Sequence, residues 1–183
     1  MANPQNQKPP FALRALGVFA ATLAVLFVLL LAAYALPGGP VRGHVYTSAQ
    51  TIAEEGLYPE YFGFKLFQMD NYTDTVMLFE AASADEAPPL TAMMTNTAYN
   101  VDNFETLAED LQWYIEKDLS TGAQRTDAPA LVPFSYARYW HGYLIWLRPL
   151  LLVTTITGVR IVQYAVLLAL LAAVLWLLRR RCG

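Results

Sequence analysis

Two uninterrupted apolar runs stand near the ends of the chain, and a mixed pattern fills the distance between them. The first, Ala15 to Leu36, holds 22 residues without a charge. At 1.5 Å per residue, that much helix crosses a hydrocarbon core of roughly 30 Å. The second, Ile161 to Leu178, ends against Arg179, Arg180 and Arg181. Both runs predict transmembrane helices, at 15–36 and 159–178, so the residues between them lie on one side of a bilayer. The small-x-small triplet Ala33-Tyr34-Ala35 has the form of a signal cleavage site, but the run is longer than the usual signal core of about 7 to 15 residues. An uncleaved anchor is therefore expected.

Between the spans the pattern is that of a small, mostly helical domain, 37–133. Pro37, Gly38, Gly39 and Pro40 read as an exit linker that stops the first span. Ser48 to Glu55 reads as a short helix with Ser48 as N-cap and Gly56 as its terminator. Leu57 to Met69 is dense in aromatic rings with partial alternation, which predicts an extended, half-buried segment. Asp74 is placed to cap a helix over 75–82, and Ser83 to Pro89 is polar. Asp102 and Glu105 form a capping-box pair ahead of a helix whose Phe104, Leu107, Leu111, Tyr114 and Ile115 share one face, with Gly122 just past its end. Glu105, Glu109, Asp110 and Glu116 fall on the other face. After the linker from Pro129 to Pro133, Phe134 to Pro149 is rich in tyrosine and tryptophan, residues at home in a headgroup layer. An interfacial aromatic helix is expected within 134–158, with a re-entrant path for Leu150 to Gly158 as the alternative. The fold class is thus a mainly α membrane protein.

Charge sharpens this picture. All 15 acidic residues lie between Glu54 and Asp127, opposed there only by Lys65, Lys117 and Arg125, while from Leu131 onward there are only basic residues. Nucleic acid is not expected as a partner, because phosphate-backbone binding needs clustered basic residues on the exposed domain. Membrane lipid is expected as one. The basic flanks 1–14 and 179–183, with Lys8, Arg14 and the arginine triplet, place both termini in the cytoplasm and the acidic domain outside a bacterial cytoplasmic membrane. The one cysteine, Cys182, makes no intrachain disulfide, and beside a span it is expected to be an unmodified thiol rather than a palmitoylation site.

Candidate chemistry is sparse. Asp70 and Asp74 set two carboxylates four residues apart, which on a loop could share a metal or a substrate hydroxyl with one as catalytic general base; the expected reading is that Asp74 caps a helix and Asp70 makes a turn. Asn71-Tyr72-Thr73 matches the N-glycosylation pattern. Arg138, His141 and Arg148 stand on the aromatic segment, where they suit a lipid phosphate or simple headgroup anchoring. His44 reads as an exposed loop residue. There is no zinc-type Cys/His cluster, no phosphate-cradling glycine loop and no nucleophile elbow, so no cofactor and no metal is expected.

The order of one span, a large outer loop with early aspartates, an aromatic stretch and a second span resembles the N-terminal part of the C-type superfamily of multi-pass glycosyltransferases. RYWHGYLIWLRPLL, within 138–151, is similar to segments of uncharacterised bacterial multi-pass membrane proteins. The first resemblance implies a polyprenyl-phosphate-linked sugar as donor, Asp70 or Asp74 as the base, and Arg138 or Arg148 near the lipid phosphate. It would make the chain a fragment, subunit or shortened member. The residues themselves point instead to an extracytoplasmic interaction domain that meets a protein or other envelope partner. That reading expects Tyr58, Tyr61, Phe62 and Phe64 to be exposed.

Overall fold

The computed structural model describes residues 10–100, 104–119, 131–137 and 141–182. Asp102, Gly122 and Arg138 lie outside these. The two terminal apolar runs form the long helices α1 (Phe11–Tyr34) and α7 (Ile156–Cys182). Both are long and apolar enough to cross a membrane, and no part of their apolar windows is covered by the rest of the chain. Between them come α2 (Gly38–Glu55), α3 (Asn71–Ser83), α4 (Pro89–Thr95), α5 (Leu107–Leu119) and α6 (Leu144–Leu151). A two-stranded antiparallel sheet joins β1 (Thr97–Asn100) to β2 (Val132–Ser135), with Thr97 opposite Ser135 and Asn100 opposite Val132.

The expected exit linker is in fact the first turn of α2. Pro37 adopts extended backbone and stops α1, but Gly38, Gly39 and Pro40 then occupy the first three helical positions. Those positions need no intrahelical N–H donor, so a proline there costs nothing. Ser48 consequently lies mid-helix rather than at a cap. Its hydroxyl donates to the His44 carbonyl at 2.6 Å and accepts from the Ile156 amide at 2.8 Å, which supplies α7 with a cap from another helix. Gly56 ends α2 as expected, at φ 80°.

The helix after the aromatic loop starts earlier than Asp74 predicts. Asp70 is the N-cap of α3: its carboxylate accepts from the Thr73 amide at 3.0 Å and from the Thr73 hydroxyl at 2.7 Å. The 57–69 segment is no half-buried strand. Two 3₁₀ turns, Tyr61–Gly63 and Lys65–Phe67, fold it into a loop closed by a single bridge between Glu60 and Gln68, and residues 61–68 are exposed. Phe62 sits in the left-handed region at φ 59°, a conformation that bulky residues adopt only under constraint. The aromatic stretch near 134–158 differs as well. Phe134 and Ser135 belong to β2, and among the described residues of that stretch only Leu144–Leu151 is helical before α7.

The core forms around α2, which packs against α3, α5 and α6. Val41, Val45, Ala49 and Ile52 present its buried stripe, and Leu78, Leu111, Ile115, Leu144, Leu147 and Leu151 meet it. α5 buries Leu107, Leu111 and Ile115 as its periodicity predicts, while Asp110 is buried too and accepts from the Thr106 hydroxyl. The last turn of α1 also enters the core, since Ala33 and Tyr34 are buried against α4 and α6. His44 is on a helix, not a loop, and donates from Nδ1 to the Leu151 carbonyl at 2.8 Å.

Ser48→Ala removes the acceptor that the buried Ile156 amide uses. The expected cost is about 1–3 kcal/mol, read as a drop of roughly 3–9 °C in the thermal midpoint of the detergent-solubilised chain. An unchanged midpoint would mean that the Ser48 hydroxyl contributes nothing to the α2–α7 seam.

Candidate functional site

The two predicted aspartates part company. Asp70 is exposed and committed to capping α3, whereas Asp74, one turn on, faces Arg160 in the first turn of α7. Arg160 is the centre of a node: Nη1 donates to both Glu55 oxygens at 3.1 and 2.8 Å, Nη2 to the Asn71 amide oxygen at 2.6 Å and to Asp74 at 3.0 Å, and Nε to Asp74 at 3.3 Å. Asn71 completes it by donating to Glu55 at 2.9 Å and to the Gly56 carbonyl at 2.7 Å. Every guanidinium nitrogen is thus satisfied. Burial pushes the Asp74 carboxyl up from its ordinary range, against the pull of Arg160 in the other direction. Because the Asn71 side chain is wholly buried in this node, the glycosylation pattern at 71–73 has no accessible acceptor.

Beside the node opens a cleft of about 540 Å³ between the 57–69 loop and the start of α7. Glu55, Gln68 and Arg160 form its polar end, and Tyr61, Phe62, Leu66, Phe67, Ile161 and Tyr164 its apolar walls. The loop carries a concentrated apolar surface: Phe62 is 83% exposed, Leu66 87% and Phe64 63%, with Tyr58, Tyr61 and Phe67 also open. Phe62 and Phe67 stack edge to face at 5.7 Å. Ile161 and Tyr164 belong to the apolar run of α7, so the rings stand level with the point where that helix becomes continuously hydrophobic.

A second polar cluster lies inside the domain. Glu80 is buried and accepts at Oε2 from the Asn96 amide at 2.8 Å and from the Tyr143 hydroxyl. Asn96 in turn accepts from the Tyr34 hydroxyl at 2.7 Å, so the end of α1 is wired through the α4 terminus to α3 and to the residue before α6. Asn96 reaches this position in a left-handed conformation, φ 40°, as the C-cap of α4. Burial raises the Glu80 carboxyl above the usual range, and the two hydrogen bonds only partly counter it. The Tyr143 hydroxyl is raised by burial and by the Glu80 charge.

Of the residues expected to meet a lipid phosphate or headgroup, the two described ones, His141 and Arg148, are buried within the domain. His141 is buried, donates from Nε2 to the Met93 carbonyl at 3.0 Å, and meets the Tyr34 ring edge to face at 5.9 Å. Arg148 is wholly buried on the inner face of α6. Arg138 is outside the described residues. Sequence reasoning missed Glu55, Arg160, Glu80 and Asn96. A signal for Arg160 was present: a lone arginine directly before an apolar span requires a carboxylate partner nearby. Nothing comparable marks Glu80, whose surroundings are assembled by tertiary contact alone. Among the described residues no group of three His, Cys, Asp or Glu side chains is placed to hold a metal ion.

For a carboxyl with a raised native pKa, the folded state keeps its proton at pH values where the unfolded chain has lost it, so stability falls as pH rises through that window. Glu80→Gln removes the titration while keeping an acceptor for Asn96 and Tyr143. The stability of the Glu80→Gln variant relative to wild type is therefore expected to be most favourable at neutral pH and to decline as pH falls through the raised range toward the ordinary glutamate value, measured by parallel thermal melts. A pH-independent difference would show that Glu80 is ionised as easily in the fold as in the unfolded chain. No protein-family model, curated protein or solved structure matches this chain.

Proposed function

We propose that this chain is a two-span integral membrane protein that holds a small helical domain on the outer face of a bacterial cytoplasmic membrane and works by binding an envelope partner rather than by turnover. The observation that carries this reading is the 57–69 loop, whose rings are held exposed beside the entry of α7. An apolar surface of that density on a folded domain has to be covered by something other than water.

The spans follow from cover as much as from composition. A core helix of a soluble protein would be buried by its own chain, whereas the apolar windows of α1 and α7 are bare. Lipid is the solvent that accepts such surfaces. Retention of α1 is supported by Tyr34: cutting after Ala35 would pull its hydroxyl from Asn96 and its ring from His141, taking two partners out of the core. The transferase reading draws no comparable support, because Asp70 is engaged in capping α3, Asp74 is paired with Arg160, and neither lines the cleft.

Sidedness is tested with a membrane-impermeant maleimide on intact cells. Glu109→Cys, with Cys182 replaced by serine, is expected to label from outside, and the native Cys182 only after permeabilisation. The reverse pattern would put the domain in the cytoplasm. The contact surface is tested with a photoreactive phenylalanine analogue at position 62, which is expected to give a discrete protein adduct in native membranes. Adducts to lipid alone would make the loop a bilayer anchor and remove the partner reading.

A further inference from the structure

Among the described residues, Arg148 is a buried cation whose guanidinium is only partly hydrogen-bonded. Arg148 is 0% exposed; its Nη2 donates to the Leu36 carbonyl at 3.1 Å, and its Nε and Nη1 have no hydrogen-bond partner. Arginine keeps its proton in a protein, so an interior guanidinium has to be met by acceptors or counter-charge. Burial opposes the charged form here, and the Asp85 carboxylate supports it only through space.

The surroundings say what is missing. Leu36 lies two residues before α2, so the guanidinium stands at the N-terminus of an 18-residue helix whose N-cap, Pro37, has no side-chain acceptor. That end carries the positive pole of the helix and its unbonded first-turn amides. Arg42, one turn along α2, donates from Nε to the Ala82 carbonyl at 3.2 Å and places Nη2 at 3.4 Å from Asp85. Asp85 itself is pressed onto the helix start: a Cβ on Gly38 would fall 1.8 Å from its Oδ2, so any larger residue there would have to push the carboxylate aside. The Asp85 side chain is 30% exposed and forms the solvent side of the arrangement. Asp85 thus stands against Arg42 and the helix N-terminus, with Arg148 within reach of its charge.

We infer that the N-terminus of α2, together with Arg42 and Arg148, is a binding site for a phosphate group, and that Asp85 occupies it as an internal stand-in. A phosphate brings more negative charge and more acceptor oxygens than a single carboxylate, and helix N-termini bind it through backbone amides. On this inference Asp85 swings toward solvent when the phosphate enters, and the phosphate oxygens meet the unused Nε and Nη1 donors. The phosphate belongs either to a membrane lipid or to a solute. The lipid source rests on the reading of α1 as a span, which sets Leu36 at headgroup depth; the solute source does not.

The test uses the full chain in a phosphate-free maltoside detergent. Thermal unfolding is followed against inorganic phosphate, with chloride at matched ionic strength as reference, and retained lipid is counted by native mass spectrometry after passage through phosphatidylglycerol nanodiscs, with a phosphate-free glycolipid as control. Wild type is expected to show a saturable rise of roughly 5–10 °C at a hundredfold excess over Kd, or one selectively retained phosphatidylglycerol. Asp85→Asn removes the competitor and is expected to tighten either effect by about tenfold or more. Arg148→Gln should abolish both; if that variant does not fold, Arg148→Lys, which keeps the charge but loses the Nε and Nη1 donors, is expected to weaken them. A phosphate response without lipid retention assigns a solute and stands even if α1 fails as a span; lipid retention without a phosphate response assigns the headgroup. Folded Asp85→Asn protein with neither response, or with both unchanged from wild type, would overturn the site.

Discussion

The Arg160 guanidinium is the interaction on which the arrangement of this molecule depends. It stands in the first turn of α7 and binds the end of α2 through Glu55 and the start of α3 through Asn71 and Asp74. On the proposed reading of α7 as a span, the helix has little apolar means of gripping the domain, because the same rings and aliphatic chains would be equally content in lipid. Polar contacts at its entry supply the grip instead. Ser48 adds a second, neutral one by capping the Ile156 amide. Together they set where α7 leaves the domain, and with it the position of the aromatic loop that lines the same cleft.

The other long helix is fastened differently. α1 enters the domain by its last turn, where Tyr34 is buried and donates to Asn96, which passes the link to Glu80 and so to Tyr143. Glu80 is the costly member, a carboxylate in the interior with neutral donors rather than a cation in contact. Neutral hydrogen bonds to its Oε2 leave its charge poorly compensated. The cluster joins α1, α3, the α4 terminus and the residue ahead of α6, four pieces distant in sequence. A hydrogen-bonded polar network of this kind favours one arrangement of those pieces over sliding apolar alternatives.

What the sequence made legible follows from periodicity and length. Both apolar helices and the buried stripe of α5 appear where their patterns place them, since Leu107, Leu111 and Ile115 recur at helical spacing whatever surrounds them. The errors cluster where a residue type admits two backbone roles. Gly38-Gly39-Pro40 breaks a helix at its middle or end but starts one just as well, so the linker proved to be a first turn. Asp70 and Asp74 are both competent caps, and the choice of Asp70 released Asp74 for Arg160. Ser48 had the composition of a cap and became one, for a helix over 100 residues away. The site residues were less legible still: Glu55 and Glu80 look like two acids among many until the fold sets Arg160 against the first and Asn96 against the second.

The arginines from α2 to the start of α7 show how charge is divided by position rather than by number. Of the described ones, Arg42, Arg148 and Arg160 all stand at seams between α2 and the segments that leave or re-enter the two long helices. Arg160 has five acceptor contacts and two carboxylates; Arg148, more deeply buried, has one carbonyl. Desolvation costs both cations, the deeper Arg148 more, yet it is Arg160 that has the fuller set of compensating acceptors. Within a domain carrying a large excess of acid, a buried arginine left short of acceptors is not explained by scarcity of carboxylates. Its position at an uncapped helix start, with Asp85 held one side chain away against Gly38, is the arrangement expected where the acceptor comes from outside the chain.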